Sequence, residues 1–249
     1  SAFRRKIEQD VINSTKKVLL LSEYTKKLLM DYHNVPEDKI VMITGAVNTE
    51  RFSPVENKYS VRKELGLALN KKILLTVRNL VPRMGLENLI ISMKELSNKN
   101  IELIIVGRGY LETKLKNLTA ELGLNEFIKF AGFVPDEFLQ KYYQAVDLFV
   151  LPTMDLEGFG LVTIEALSCG TPVLGTPIGG TVEILSGLNL LFESNSPEAI
   201  ATGIKQFLQL DESKLKELSK KCREFVLANY SWKKVVDRIE EVFFLLCAV

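Results

Sequence analysis

The residues with the most chemical promise lie in the stretch DLEGFGLVTIEALSCGTP, residues 155–172. Glu157 and Glu165 stand eight residues apart, with Gly158, Phe159, Gly160 and Leu161 between them. An ionised glutamate only accepts hydrogen bonds, so it pairs well with neighbouring hydroxyls. Glu157 precedes a helix and Glu165 lies about one turn into it; at ~1.5 Å rise per residue they fall on the order of 10 Å apart. That separation suits two different groups of one extended ligand, a sugar and a ribose with a diphosphate between them. It does not suit two carboxylates sharing a proton. Two further glycine-bearing turns are of the same kind: RNLVPRMG at 78–85 and Gly107-Arg108-Gly109. Helix N-termini carry unpaired N–H groups that attract anions, and glycine lets the backbone come close to them. Arg78 and Arg83 can neutralise a diphosphate. Plainer readings stand beside these: a glutamate at a helix N-terminus as a dipole contact, and Arg78 and Arg83 as solvated surface charges.

These turns need a frame that brings them to one place. The apolar runs KVLLLS (17–22), KIVMIT (39–44), KILLTV (72–77), IELIIV (101–106), FIKFAG (127–132), DLFVLP (147–152), PVLGT (172–176) and NLLF (189–192) read as strands. Continuous apolar runs indicate strands buried on both faces. Helical patterns lie between them. One is capped by Ser22 and runs to Tyr32, and another spans 85–97. Others start after Gly109, at Pro135 and Asp136 with Pro in the first turn, after Gly160, and over 180–185. Residues 45–59 read as a linker and 196–228 as helix. The segment from Ser231 places Trp232, Val235, Val236, Ile239, Val242, Phe243 and Leu246 on one apolar stripe that needs a partner surface. The N-terminal residues Phe3, Ile7, Val11 and Ile12 also share a face. The alternation predicts an α/β fold, a parallel sheet with helices on both faces. In such sheets ligands bind beyond the carboxyl ends of the strands, where all three turns fall.

Composition removes several function classes. The 249 residues carry 32 basic and 31 acidic side chains, a net charge of +1, which argues against a nucleic-acid binder. The one histidine, His33, excludes a zinc site built on several histidines and reads as a surface helix residue. No G-x-S-x-G, P-loop or Asp-x-Asp pattern is present, so no protein-held metal is expected. Cys169, Cys222 and Cys247 fit buried free thiols in a reducing, cytoplasmic compartment. No apolar run reaches the ~18 residues of a membrane span. Residues 4–6 (RRK) and the lysine pairs 16–17 and 26–27 leave a peripheral role at the inner membrane face open, although solvated helix faces are the commoner outcome. The chain opens directly on a helical pattern without an initiator Met and is expected to be a piece of a longer protein.

Together the motifs resemble the retaining GT-B glycosyltransferases of the large family 4 group. EGFGLVTIEALSCGTPVLGTPIGGTVEIL (157–185) is similar to that family's E-x7-E signature with its following strand and G-G-x-x-E turn. VRNLVPRMGLENLI (77–90) resembles its phosphate loop, LIIVGRGYLETKL (103–115) its L-x-I-V-G-x-G turn, and FAGFVPDEFLQKYYQAVDLFVLPT (130–153) its F-x-G-x-V stretch. VPEDKIVMITGAVNTERFSP (35–54) resembles its interdomain junction. The resemblance implies one half of a GT-B architecture. Residues 1–53 would end an N-terminal acceptor domain, 54–230 form the Rossmann-like donor-binding domain, and 231–249 make a crossover helix. It implies hexose transfer, with configuration retained, from a UDP- or GDP-linked sugar to a glycan or lipid-linked acceptor, without cofactor or metal. Glu157 would contact sugar hydroxyls and Glu165 the ribose. Backbone around Gly158, Phe159, Gly160 and Leu161 would face phosphates and sugar, Gly107 and Gly109 would line the donor site, and Phe130 to Val134 would line the base. A chain that lacks the rest of the acceptor domain is expected to bind donor and transfer little.

The sequence departs from the pattern in the phosphate loop. The family's Arg and Lys fall on Asn79 and Met84, and Arg78 and Arg83 each sit one residue earlier. Arg83, helped by Arg78, is expected to take the phosphate role. The departure keeps a non-catalytic nucleotide-sugar-binding module in view beside a GT-B epimerase; a phosphorylase would need a pyridoxal-binding lysine, for which no signature is seen.

Overall fold

The computed structural model describes residues 2–97 and 100–247. In chain order the elements are α1 (Ala2–Ser14), β1 (Val18–Leu20), α2 (Glu23–His33), β2 (Ile40–Met42), α3 (Lys58–Glu64), β3 (Lys72–Val77), α4 (Leu86–Met93), β4 (Ile101–Val106), α5 (Glu112–Glu121), β5 (Ile128–Gly132), α6 (Asp136–Ala145), β6 (Leu148–Leu151), α7 (Leu161–Ser168), β7 (Val173–Gly175), α8 (Thr181–Leu185), α9 (Pro197–Leu208), α10 (Glu212–Asn229) and α11 (Trp232–Cys247). Five strands form one sheet in the order β5-β4-β3-β6-β7, and every pairing is parallel. α4 contacts both α5 and α9, and α3, α6, α7 and α10 follow one another in contact, so helices flank the sheet in two groups. All six residues of β4 and all four of β6 are buried, which matches their unbroken apolar sequences. The order reverses at β3, between β4 and β6, and this switch point is where α/β sheets open a crevice.

β1 and β2 pair as a separate two-stranded parallel sheet. Val41, Ile43 and Ala46 cluster with Val235, Ile239, Val242 and Leu246 of α11, so residues 41–46 supply the surface that the C-terminal stripe needs. Only part of that stripe is covered: Trp232, Val236 and Phe243 stay exposed. Of the α1 face, only Ile12 is buried.

Residues 1–53 join the unit built on the large sheet through Val47 and Phe52, which are buried in its core, and through polar contacts. Arg223 of α10 donates to the carbonyls of Thr49, Phe52 and Ser168. Ser22 caps α2 in a reciprocal box with Thr25, and its hydroxyl also donates to the Gly158 carbonyl at 2.5 Å. The Glu183 carboxylate of α8 accepts the Glu23 and Tyr24 N–H groups at the start of α2, at 3.0 and 3.1 Å. A carboxylate there stabilises both orphan donors and the helix dipole. Glu183→Ala is therefore expected to lower unfolding free energy by about 1 kcal/mol in urea titration; an unchanged midpoint would show that water replaces the contact.

The differences from the sequence reading are local. NLLF forms a single bridge, Gly175 to Leu191, and no strand, because the chain touches β7 there only once. Residues 196–228 split into α9 and α10, the second restarted by an Asp211 N-cap. The linker ends sooner than expected, at α3, which an Asn57 cap initiates. Pro135 takes the N-cap rather than the first helical turn, with extended backbone. α4 starts after Gly85, which is left-handed, and ends at Met93. His33 is no open surface residue: its ring is pinned between Glu8 and Gln9. Cys169 and Cys222 are buried free thiols whose pKa burial pushes up to about 12, whereas Cys247 is exposed. Among the described residues no helix is long and apolar enough to cross a membrane, and no group of three His, Cys, Asp or Glu could hold a metal.

Candidate donor-binding site

The sheet register sets the turns after β3 and β4 side by side. Val77 lies opposite Val106, and past the strand ends the Leu80 N–H donates to the Arg108 carbonyl. Gly107 has φ +133°, and a Cβ there would lie 1.8 Å from the Arg78 carbonyl oxygen. A Cβ on Gly85, at φ +70°, would lie 1.7 Å from the carbonyl oxygen of Pro152, just past β6. No other residue fits either crossing. The Gly107 N–H reaches the Gly132 carbonyl at the end of β5. Four strand ends thus meet at one mouth, and a cleft of about 420 Å³ opens there. Its walls include Arg78, Asn79, Gly107, Arg108, Phe133 and Val134.

The loop after β6 closes on this mouth. The Met154 and Asp155 N–H groups donate to the Arg83 carbonyl, and the Arg83 guanidinium donates to the Leu156 carbonyl at 2.9 Å. Glu157 is buried and its carbonyl accepts the Gly180 N–H at 2.7 Å. Arg78, also buried, sends Nη2 to Glu157 Oε2 at 2.7 Å and to the Thr153 hydroxyl at 2.7 Å. The reading of Arg78 as a solvated charge is thereby corrected: β3 delivers it straight into the interior at the switch point. Gly160 caps α7 at φ +91°, with Thr181 packed where a Cβ would sit. Phe159 turns inward onto Tyr230, edge to face at 5.7 Å, and Leu161 is half exposed.

Glu165, one turn into α7, accepts the Tyr143 hydroxyl on Oε2 at 2.8 Å. Burial raises its pKa, against the lowering effect of that hydrogen bond. Asp136, which lines the cleft, and Arg51 also act on its charge. Arg51 in turn pairs with Asp136 at 2.5 Å. The cleft therefore has Glu157 behind one wall and a Tyr143–Glu165–Arg51–Asp136 group at another.

Of the residues predicted from sequence, Arg78, Gly107 and Val134 line the cleft directly. Gly109 supports it, because a Cβ there would meet the Leu80 carbonyl at 2.3 Å. Phe130 packs against the core, with Lys116 over its ring. Arg83 is exposed and is not among the residues that line the cleft. Sequence reading missed Thr153, Tyr143, Arg108 and Asp136, whereas Phe133 falls within the segment 130–134 expected at the base. Thr153 follows directly on the β6 run and could have been suspected; Tyr143 sits in a helix 22 residues before Glu165, with no spacing signal. Arg108 stacks over the exposed Phe133 ring at 5.4 Å, a cation–π pair across two loops.

The family described as glycosyl transferases group 1 matches residues 57–226. The chain belongs to that family. It is 30% identical over 232 residues to an uncharacterized glycosyltransferase of Methanocaldococcus jannaschii, covering 91% of this chain and 59% of that protein. It is 29% identical over 242 residues to a GDP-mannose-dependent alpha-(1-6)-phosphatidylinositol monomannoside mannosyltransferase of Mycolicibacterium smegmatis, covering 92% and 62%. The chain thus spans about three fifths of the length of these curated relatives. Among solved structures, sucrose-phosphate synthase of Thermosynechococcus elongatus superposes with a TM-score of 0.86 at 26% identity, over 100% of this chain and 62% of that one. Anabaena HepE in complex with UDP and glucose gives 0.87 at 21% identity, over 100% and 68%, a likeness of fold. The parallel sheet flanked by helices is what the alternation of strands and helices implied, and the structures it superposes on are GT-B glycosyltransferases, as the resemblance implied.

Proposed function

We propose that this group 1 glycosyltransferase chain binds a nucleotide-diphosphate sugar in the cleft beyond β3, β4 and β6 and serves hexose transfer, with retention, to a glycan or lipid-linked acceptor. Residues 54–230 act as the donor-binding unit, 1–53 as the end of an acceptor domain and 231–249 as the crossover helix, in the manner of family 4. The observation that carries the reading is the meeting of Glu157 and its glycine loop with the Arg78 and Gly107 turns at one mouth. Relatives named for GDP-mannose and a fold neighbour holding UDP and glucose support the ligand class.

The residues divide the ligand by charge. Glu157 accepts hydroxyls of the sugar. Glu165, kept short of water by burial, accepts the ribose diol. The first turn of α7, with Gly158, Phe159, Gly160 and Leu161 leading into it, offers N–H groups and a positive dipole end to the diphosphate. Arg83 adds an exposed cation as the leaving group gains charge, so the stabilisation comes from fixed donors and side-chain cations, without a metal. Gly107 and Gly109 keep the floor open, and Phe130 to Val134, with Phe133 outermost, border the base. The site works in the cytoplasm or at the inner face of a membrane.

Isothermal calorimetry with UDP-glucose and GDP-mannose tests this. Saturable heat is expected for at least one, weakened at least about tenfold by Glu165→Gln, the loss of a charged hydrogen-bond acceptor. No heat from either, or no effect of the substitution, would defeat the reading. One observation favours a second reading: Asn79 and Met84, both uncharged, line the cleft where the resembling family carries cations. A non-catalytic sugar-nucleotide module would bind the donor and release no nucleoside diphosphate when acceptors are supplied.

A further inference from the structure

We propose that Arg78 is a positioning residue: its guanidinium fixes the carboxylate of Glu157, and thereby the sugar end of the cleft, without itself binding the diphosphate. The proposal rests on the reading above, in which Glu157 accepts sugar hydroxyls. Nη2 of Arg78 stands 2.7 Å from Glu157 Oε2 and 2.7 Å from Thr153 Oγ1. Thr153 passes its own hydroxyl proton to the same Oε2, at 3.3 Å, so three side chains close a ring around one carboxylate oxygen. The Thr153 carbonyl is held in turn by the Thr176 hydroxyl, at 2.6 Å, which ties the ring to the end of β7. The side chains of Arg78 and Glu157 are 5% and 11% exposed. Among the described residues both polar contacts on the Glu157 carboxylate fall on Oε2, which leaves Oε1 for a hydroxyl.

Two further observations set Arg78 apart from a phosphate ligand. Its Nε is buried with no hydrogen-bond partner, a cost that a water-facing arginine would not bear. The guanidinium and the Glu157 carboxylate are opposite charges 2.7 Å apart, so the pair is close to neutral as a unit. Arg83, by contrast, is exposed and commits one arm to the Leu156 carbonyl. That leaves Arg83 the better partner for a dianionic group, and Arg78 the residue that decides which way Glu157 points.

The distinction is measurable, because a positioning role affects the sugar and a phosphate role affects the nucleotide. Calorimetric affinities for UDP and UDP-glucose, and for GDP and GDP-mannose, are compared in the wild-type chain, Arg78→Lys, Arg78→Met, Glu157→Gln and the double variant Arg78→Met/Glu157→Gln. The bare nucleotides are expected to bind all variants within about twofold of wild type, while the extra affinity due to the sugar falls by about tenfold, the loss of one charge-assisted hydrogen bond. The double variant is expected to be no worse than either single neutral variant, as for residues acting as a unit, and Arg78→Lys to keep part of the increment. A drop in bare UDP or GDP affinity on Arg78→Lys or Arg78→Met overturns the proposal, as does a double variant whose loss is the product of the two singles. Arg78→Met leaves Glu157 as a buried unpaired charge and can fail to fold; the double variant, with both charges removed, is the better tolerated form and then carries the test with Arg78→Lys. A wild-type chain that binds neither nucleotide nor sugar nucleotide refutes the donor-site reading, and the proposal falls with it. A wild type that binds both, with unaltered sugar increments in the variants, refutes the proposal alone.

Discussion

Asp147→Ala lowers the unfolding free energy by about 3–5 kcal/mol, the loss associated with breaking a buried ion pair, and the melting temperature falls by roughly 10 °C. Asp147 opens β6 at the end of the sheet opposite the cleft. One carboxylate oxygen accepts Arg62 Nη2 at 2.7 Å and the Ile73 N–H at 2.8 Å; the other accepts Lys58 Nζ at 2.9 Å. Arg62 is 2% exposed and spends its other arms on the carbonyls of Ala145 and Lys71. Without Asp147 the guanidinium stays buried and uncompensated, and the start of β3 loses the acceptor for its Ile73 N–H. Burial pushes the Asp147 pKa up, but Lys58, the Ile73 N–H and Arg62 outweigh it, and the net shift is downward from 3.8. A folded-state pKa below the unfolded one makes the carboxylate stabilising above the unfolded value, near pH 4. That contribution is lost as pH falls through the folded value. Asp147→Asn is therefore expected to be less stable at pH 7 and to show a flatter stability profile below pH 4, read by chemical denaturation across pH.

Arg83→Ala cuts donor turnover by on the order of a hundredfold, as for removal of one transition-state charge partner. The guanidinium is exposed, tied by one bond to the loop that carries Glu157, and on the proposed reading it is the cation offered to the diphosphate. Its loss reduces kcat more than donor affinity, because the leaving diphosphate gains charge only as the sugar departs. Nucleoside diphosphate release with acceptor present gives the measurement. Equal kinetics for Arg83→Ala and wild type would return the phosphate role to neutral donors alone.

The frame of this site was legible in the sequence because buried parallel strands carry unbroken apolar runs. KILLTV, IELIIV and DLFVLP each became a strand close to its expected bounds, and the glycines at 85, 107 and 160 marked the crossings where a side chain would collide with a neighbouring carbonyl or with Thr181. NLLF looks the same in sequence and pairs only once, since apolar runs report burial and not hydrogen bonding. The partners of the two glutamates were less legible. Arg78 reads equally as a surface charge or a phosphate ligand until β3 places it beside Glu157, 79 residues further on. Tyr143 meets Glu165 only because α6 packs against α7. The contacts between Glu183 and α2 join residues some 160 positions apart. No local period encodes them.

Amide chemical shifts report the place at which a ligand binds. In a heteronuclear NMR titration of the labelled chain with UDP-glucose and GDP-mannose, binding in the cleft is expected to give saturable perturbations at Gly107, Arg108, Phe133, Val134 and residues 158–161. Perturbations centred instead on Lys58, Lys72 and Lys216, which border the opposite end of the sheet, or a spectrum unmoved by either ligand, would contradict it.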